Sequence, residues 1–292
     1  TDNPSVKSQK ISESVQMILD RLIFIRTTED RGIEERTLQG MVRTWEDLKR
    51  IKVGELIKEL NRLFRQYDKN YNSKLFSFHF CENLTADDNI YVDIINELYK
   101  NQRGIRYNFA AINADVFGSI YEQYLGHIQR ENGKEKDKKS KRKSQGIYYT
   151  PRYIVDYIVK NTLGEVLKEK SSEEIRNIRI LDPACGSGSF LIKALEELIS
   201  YWQARVGKSM KYEKGTHLGN LEKSFKMREG QKGLASPFKM ELLRNNIYGV
   251  DLDEEAVEIA QLNLLLRIIE RRKLLPNLSH SLTCGNSLIS GS

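Results

Sequence analysis

The chain has 292 residues, of which 30% are charged and 39% apolar, and a formal net charge of +7. That length holds two domains with sizeable cores. No apolar run reaches membrane-spanning length, and the N-terminus lacks the apolar stretch of a signal peptide. Cys81, Cys185 and Cys284 lie too far apart for a disulfide framework or a metal-ligand spacing, and His79, His127, His217 and His280 are isolated. A cytoplasmic, metal-free protein is the expectation.

In chain order, residues 11–27 place apolar side chains at Val15, Ile18, Leu19, Leu22 and Ile23, a helical spacing. Trp45 to Tyr67 repeats it, and Ile90–Tyr99 and Val116–Ile128 add two more amphipathic segments. Leu75–Phe80 is the one short strand candidate in this part. Residues 1–130 therefore read as a mainly α-helical domain. Residues 131–145 contain no apolar side chain and read as a basic flexible linker. Lys134–Lys143 carries seven basic and two acidic residues, so either phosphate contact or plain solvation fits it.

Residues 146–292 change pattern. A helix over Pro151–Leu167 is followed by a strand at 178–181, a helix at 189–203, a strand at Ile247–Val250, a helix at 254–272 and a short strand at Leu282–Cys284. Strands alternating with helices imply α/β architecture with a parallel, doubly wound, Rossmann-like sheet, whose ligands bind beyond the carboxyl ends of the strands. An insertion at 204–245 carries ten basic and four acidic residues and reads as a DNA-facing loop or a disordered excursion.

The motifs fall at those strand ends. Ile180-Leu-Asp-Pro-Ala-Cys-Gly-Ser-Gly-Ser-Phe190 is a strand end, a small-residue turn and a helix start. Gly186 and Gly188 let a ligand approach the backbone, and the helix N-terminus that follows presents free amides. A nicotinamide loop would need a third glycine where Leu191 stands, and no Gly-Lys-Ser/Thr follows to make a P-loop. Asp251, at the end of the next strand, offers two acceptor oxygens to two ribose hydroxyls, while Asp253 and Glu254 suit the cap of the following helix. Thr150 is placed to cap the helix that Pro151 opens. Cys185 reads as a small space-filler within the loop.

The string Asp182-Pro183-Ala184-Cys185-Gly186-Ser187-Gly188 closely resembles the S-adenosylmethionine loop of amino-methylating DNA methyltransferases. Together with Tyr149-Thr150-Pro151, Asp251-Leu252 and Gly285-Asn286-Ser287, in this order, it resembles the γ arrangement of adenine-N6 enzymes from restriction-modification systems, in particular type I modification subunits and fused type IIG enzymes. The resemblance implies S-adenosylmethionine as cofactor. It implies contacts to it from Tyr149, Thr150, Asp182, Pro183, Ala184, Cys185, Gly186, Gly188, Asp251, Leu252, Asn286 and Ser287, with Asn286 facing the adenine amino group. Asp20-Arg-Leu-Ile-Phe-Ile-Arg-Thr-Thr-Glu-Asp-Arg-Gly32 and Asn113–Leu125 resemble, more loosely, the helical domain of the same large enzymes.

One departure matters. The family's catalytic signature, Asn/Asp-Pro-Pro-Tyr/Phe, is absent from the sequence and is expected beyond Ser292. The expectation is a fragment that binds cofactor but transfers methyl slowly or not at all. Double-stranded DNA is the expected partner, with a specificity subunit or a fused recognition domain and nuclease supplying the target choice. Two other readings stand beside this one: a methyltransferase for RNA or protein glutamine, and a non-catalytic cofactor-binding module.

Overall fold

A computed structural model describes residues 3, 6–48, 55–71, 74–112, 150–209, 236–271 and 273–289. The linker 131–145, Tyr149, the segment 116–128 and most of the insertion 204–245 lie outside the described residues. Two compact units divide the chain: Thr1–Asn113 with Ile269–Asn277, and Ala114–Ile268 with Leu278–Ser292.

The first unit is helical. α1 (Ser8–Asp30), α2 (Leu38–Leu48), α3 (Glu55–Tyr71) and α4 (Asp88–Glu97) surround an aromatic core of Phe24, Phe64, Tyr67, Tyr71 and Phe76. The Phe24 ring meets those of Tyr67, Tyr71 and Phe76 edge-on. α1 also buries charge. Arg21, fully buried, donates to the carbonyls of Leu75 and Ser77 at 2.8 and 2.7 Å and to Glu82 at 2.9 Å. These bonds explain why Leu75–Phe80 is not a strand. Arg21 and Arg65 take the carbonyls that a neighbouring strand would have taken, and the segment curls into 3-10 turns at Lys74–Phe76 and Phe80–Asn83.

Arg26 organises the far end of α1. It donates to Glu29 and Asp30 and lies over the Tyr99 ring at 3.8 Å. Glu29 accepts the Thr37 and Leu38 amides at the start of α2, and Asp30 accepts the Phe109 amide. Burial works against the Asp30 carboxylate, but the bonds from Arg26 and Phe109 outweigh it and hold its pKa below the ordinary value. The Asp20–Gly32 motif is thus a structural hub. Residues Ile269–Asn277 return to this unit, where the Leu275 amide donates to the Tyr71 carbonyl at 2.7 Å.

The second unit holds a parallel three-stranded sheet: β1 (Ile180–Asp182), β2 (Ile247–Asp251) and β3 (Leu282–Cys284), in that order across the sheet. The helical pattern over Pro151–Leu167 resolves into α5 (Arg152–Asn161) and α6 (Leu163–Glu169). The break sits where the Asn161 and Thr162 side chains donate to the Tyr157 and Ile158 carbonyls and end the ladder. A short α7 (Ser172–Arg176), opened by a Ser171–Glu174 capping box, leads into β1. α8 (Ser189–Ser209), α9 (Ser236–Asn246) and α10 (Glu254–Ile268) complete the unit. Ile247, Gly249 and Leu282 are buried beneath helices, whereas Leu181, on the other side of the sheet, is 61% exposed. Asn246, also buried, donates to the carbonyls of Arg176 and Ile178 and fixes the entry to β2 against the entry to β1.

Candidate functional site

The parallel register brings the sequence motifs to one edge. Asp182 pairs with Gly249 and Asp251 pairs with Cys284, so the loops after β1, β2 and β3 all emerge at the carboxyl end of the sheet. The loop after β1 is folded by its glycines. Gly186 has φ +50° and Gly188 φ +87°, both in the left-handed region that disfavours side chains. Their surroundings differ. A Cβ on Gly186 would meet nothing within 4 Å, so open space lies before the loop. A Cβ on Gly188 would lie 3.0 Å from that of Ala260, so α10 presses directly on the loop's rear.

Asp251 ties the loops together. One carboxylate oxygen accepts the Gly186 amide at 2.7 Å and the other accepts the Asp253 amide at 2.9 Å. Its own carbonyl accepts the Gly285 amide at 2.8 Å, and the neighbouring Val250 carbonyl accepts the Cys185 amide at 2.9 Å. A carboxylate offers about four lone-pair positions, so two remain for a ligand after these amides are served. The Asp182 carboxylate turns back on the loop to accept the Ala184 amide at 3.1 Å. Asp253 accepts the Glu255 amide and caps α10.

No described Lys or Arg forms an ion pair with Asp182, Asp251 or Asp253. The electrostatics follow. Burial pushes the Asp182 carboxyl above its ordinary pKa, the Ala184 amide opposes this, and Asp251 adds to it. Burial likewise raises Asp253, helped by Asp251 and Glu254. The Cys185 thiol is pushed up to about 12, by burial first and then by Asp182 and Asp251. Among the described residues the edge is acidic, and none of its three aspartates has a cationic partner.

The remaining sequence-derived residues separate into facing and backing groups. Pro183, Ala184, Leu252, Asn286 and Ser287 are exposed at this edge. The Asn286 side-chain oxygen accepts the Leu288 amide at 3.0 Å, which stiffens the loop after β3. Cys185 points inward and is 6% exposed; a Cβ on Gly249 would lie 3.0 Å from its sulfur and 2.7 Å from Leu191 Cδ1. It fills space behind the loop. Thr150 precedes α5 and is half-buried, but it does not cap the helix: Pro151 occupies the cap position and no side chain bonds there. Arg152 and Ser189 line one shallow hollow, which sets the start of α5 beside the start of α8. Among the described residues no group of three or more His, Cys, Asp and Glu could hold a metal ion, and no helix is long and apolar enough to cross a membrane.

Two supporting residues are additions to the sequence-derived set. Asn263, fully buried in α10, donates to the Ser187 carbonyl at 3.2 Å and holds the glycine loop from behind. Its sequence signal was a lone amide inside the apolar run Leu262–Leu266. Gly249 is the second; a glycine within a strand marks a close approach, here by α8 and the loop.

The α/β unit thus carries a glycine loop clamped to an acidic strand end. The chain belongs to the N-6 DNA methylase family, whose sequence profile matches residues 112–288. It is 30% identical to the type II restriction enzyme and methyltransferase RM.Eco57I of Escherichia coli, over 96% of this chain and 27% of that protein. It is 29% identical to the protein named "Putative type II restriction enzyme and methyltransferase RM.MjaORFECS2P" of Methanocaldococcus jannaschii, over 94% of this chain and 27% of that protein. The chain thus spans about a quarter of these relatives' length. Among solved structures, the type IIL restriction-modification enzyme MmeI in complex with DNA aligns with a TM-score of 0.47 and 20% identity, over 87% of this chain and 33% of that one.

Proposed function

We propose that this chain is the helical and cofactor-binding portion of a site-specific DNA methyltransferase of a restriction-modification or phage-defence system, which moves a methyl group from S-adenosylmethionine to adenine N6. We read the three parallel strands as part of a Rossmann-like sheet. The observation that carries the reading is the 2.7 Å bond from the Gly186 amide to Asp251. It makes the glycine loop and the acidic strand end one rim rather than two separate features.

The residues present fit the cofactor. The space before Gly186 admits a ligand against bare backbone. The cation-free carboxylates Asp182 and Asp251 suit a ligand bearing an ammonium and a sulfonium. The two free acceptor positions of Asp251 match neighbouring ribose hydroxyls, and exposed Leu252 offers an apolar surface beside the base. Asn286 presents an amide to the adenine edge, and Tyr149 and Thr150 would approach from the segment before α5. When bound, S-adenosylmethionine supplies an electrophilic methyl group. The chain's residues orient it so that an extruded adenine can approach in line. The sequence contains no Asn-Pro-Pro-Tyr/Phe, so the groups that grip the target base, the choice of DNA sequence and any nuclease belong to other parts of the enzyme or to a specificity subunit.

Calorimetric titration with S-adenosylmethionine tests the reading. Asp251→Ala should weaken binding at least tenfold, about 1.4 kcal/mol, because it removes the ribose acceptor and releases the Gly186 amide. Equal affinity in both proteins would remove Asp251 from the pocket.

A further inference from the structure

The first unit's arginines are mostly paired. Arg21, Arg26, Arg36, Arg62 and Arg65 each lie within ion-pair distance of a carboxylate. The turn that follows α4 behaves differently. Lys100, Arg103 and Arg106 are exposed along it, Arg43 of α2 is exposed beside it, and none of the four forms an ion pair among the described residues. Lys100, Arg106 and Arg43 line one hollow of about 360 Å³, and Lys100 and Arg103 line a second of about 510 Å³. Glu46 and Glu97 also line these hollows but bind none of the cations.

The turn is built to hold its shape. Lys100 and Arg106 pair as an antiparallel bridge, and the Tyr107 amide donates to the Tyr99 carbonyl at 3.0 Å. The Asn101 side-chain oxygen accepts the amides of Arg103 and Ile105, both at 3.0 Å, and Gly104 takes φ +76° to close the tip. Tyr99, at its base, is buried under Arg26. A flexible lysine tract loses conformational entropy when it meets a polyanion; a knitted turn on a buried anchor loses less. Three cations spaced along such a turn, with the Gln102 donor between them and the Tyr107 hydroxyl beside Arg106, suit successive phosphates of one strand.

We propose that the turn Lys100–Tyr107, with Arg43 beside it, is a phosphate-backbone contact that the helical unit makes with duplex DNA. The proposal rests on the DNA-directed function above. It assigns to that unit a role its near-neutral total charge conceals.

The test uses a fluorescently labelled duplex and the whole chain, with anisotropy read across a salt series. Each phosphate contact contributes about 0.9 to the slope of log affinity against log salt. K100Q/R103Q/R106Q should therefore flatten the slope by about 2.7, while calorimetric binding of S-adenosylmethionine stays at the wild-type value. E46Q/E97Q should move affinity the other way, tightening it several-fold at low salt. An unchanged slope in the triple variant overturns the proposal whatever the second variant does. Should the triple variant fail to fold, unchanged affinity in E46Q/E97Q overturns it instead. A wild-type chain that binds S-adenosylmethionine but shows no salt-dependent DNA binding overturns this proposal and leaves the functional reading standing, whereas a chain that binds no S-adenosylmethionine overturns that reading.

Discussion

The two units treat their carboxylates in opposite ways. In the helical unit Glu29 and Asp30 are matched by Arg26, and every oxygen is met by a guanidinium, an amide or the Tyr99 hydroxyl. In the sheet unit Asp182, Asp251 and Asp253 are met, among the described residues, by backbone amides, and burial raises two of them above their ordinary pKa. The first arrangement is complete in itself and serves stability. The second has no cationic partner among the described residues, and on the proposed function a ligand brings that charge.

That contrast can be broken in three ways. The largest effect is expected at Arg26, which is 1% exposed. Arg26→Met strands two buried carboxylates and should destabilise the protein by about 3–5 kcal/mol, read by urea unfolding at neutral pH. A loss below about 1 kcal/mol, the range of a surface ion pair, would show that the hub is dispensable. Smaller effects belong to the glycine loop. Gly188→Ala forces a side chain against Ala260 in a left-handed conformation, which should cost about 1–3 kcal/mol and weaken binding of S-adenosylmethionine. Gly186→Ala meets open space and carries only the conformational penalty, about 1–2 kcal/mol. If calorimetry and thermal unfolding rank the two substitutions in the reverse order, α10 does not buttress the loop.

The smallest effect sharpens the comparison through pH. Asp30 has a depressed pKa, so its stabilising contribution is full above the unfolded value and is lost as pH falls through the folded one. Asp182 has a raised pKa, so its contribution runs the other way: present below the unfolded value and lost as pH rises through the folded one. Affinity for S-adenosylmethionine should therefore begin to fall, on acidification, at a higher pH than for an aspartate of ordinary pKa. Asp182→Asn should abolish that early fall. A binding profile unaltered by the substitution would separate Asp182 from the cofactor.

Much of the sheet unit was legible in the sequence because its signals are local. Glycines needing φ > 0, a strand ending in Asp251 and a helix opened by Asp253 each declare themselves within a few residues. What escaped depends on distant partners. Leu75–Phe80 has strand-like composition, but Arg21 and Arg65 hold its carbonyls. The Pro151–Leu167 pattern hides a break, since apolar periodicity runs through Thr162 while its hydroxyl ends the ladder. Thr150 resembles a cap, yet Pro151 stands in that position. Asn263 is invisible as a loop support until α10 is packed behind Ser187.

The return of Ile269–Asn277 to the helical unit sets a limit on dissecting this protein. A scissile point placed after residue 113 would sever the helical unit from the stretch whose Leu275 amide engages Tyr71. Neither linear half would inherit its full complement of contacts. Modular exchange between homologues would succeed when residues 269–277 travel with the N-terminal helices, as a pair of grafts rather than one.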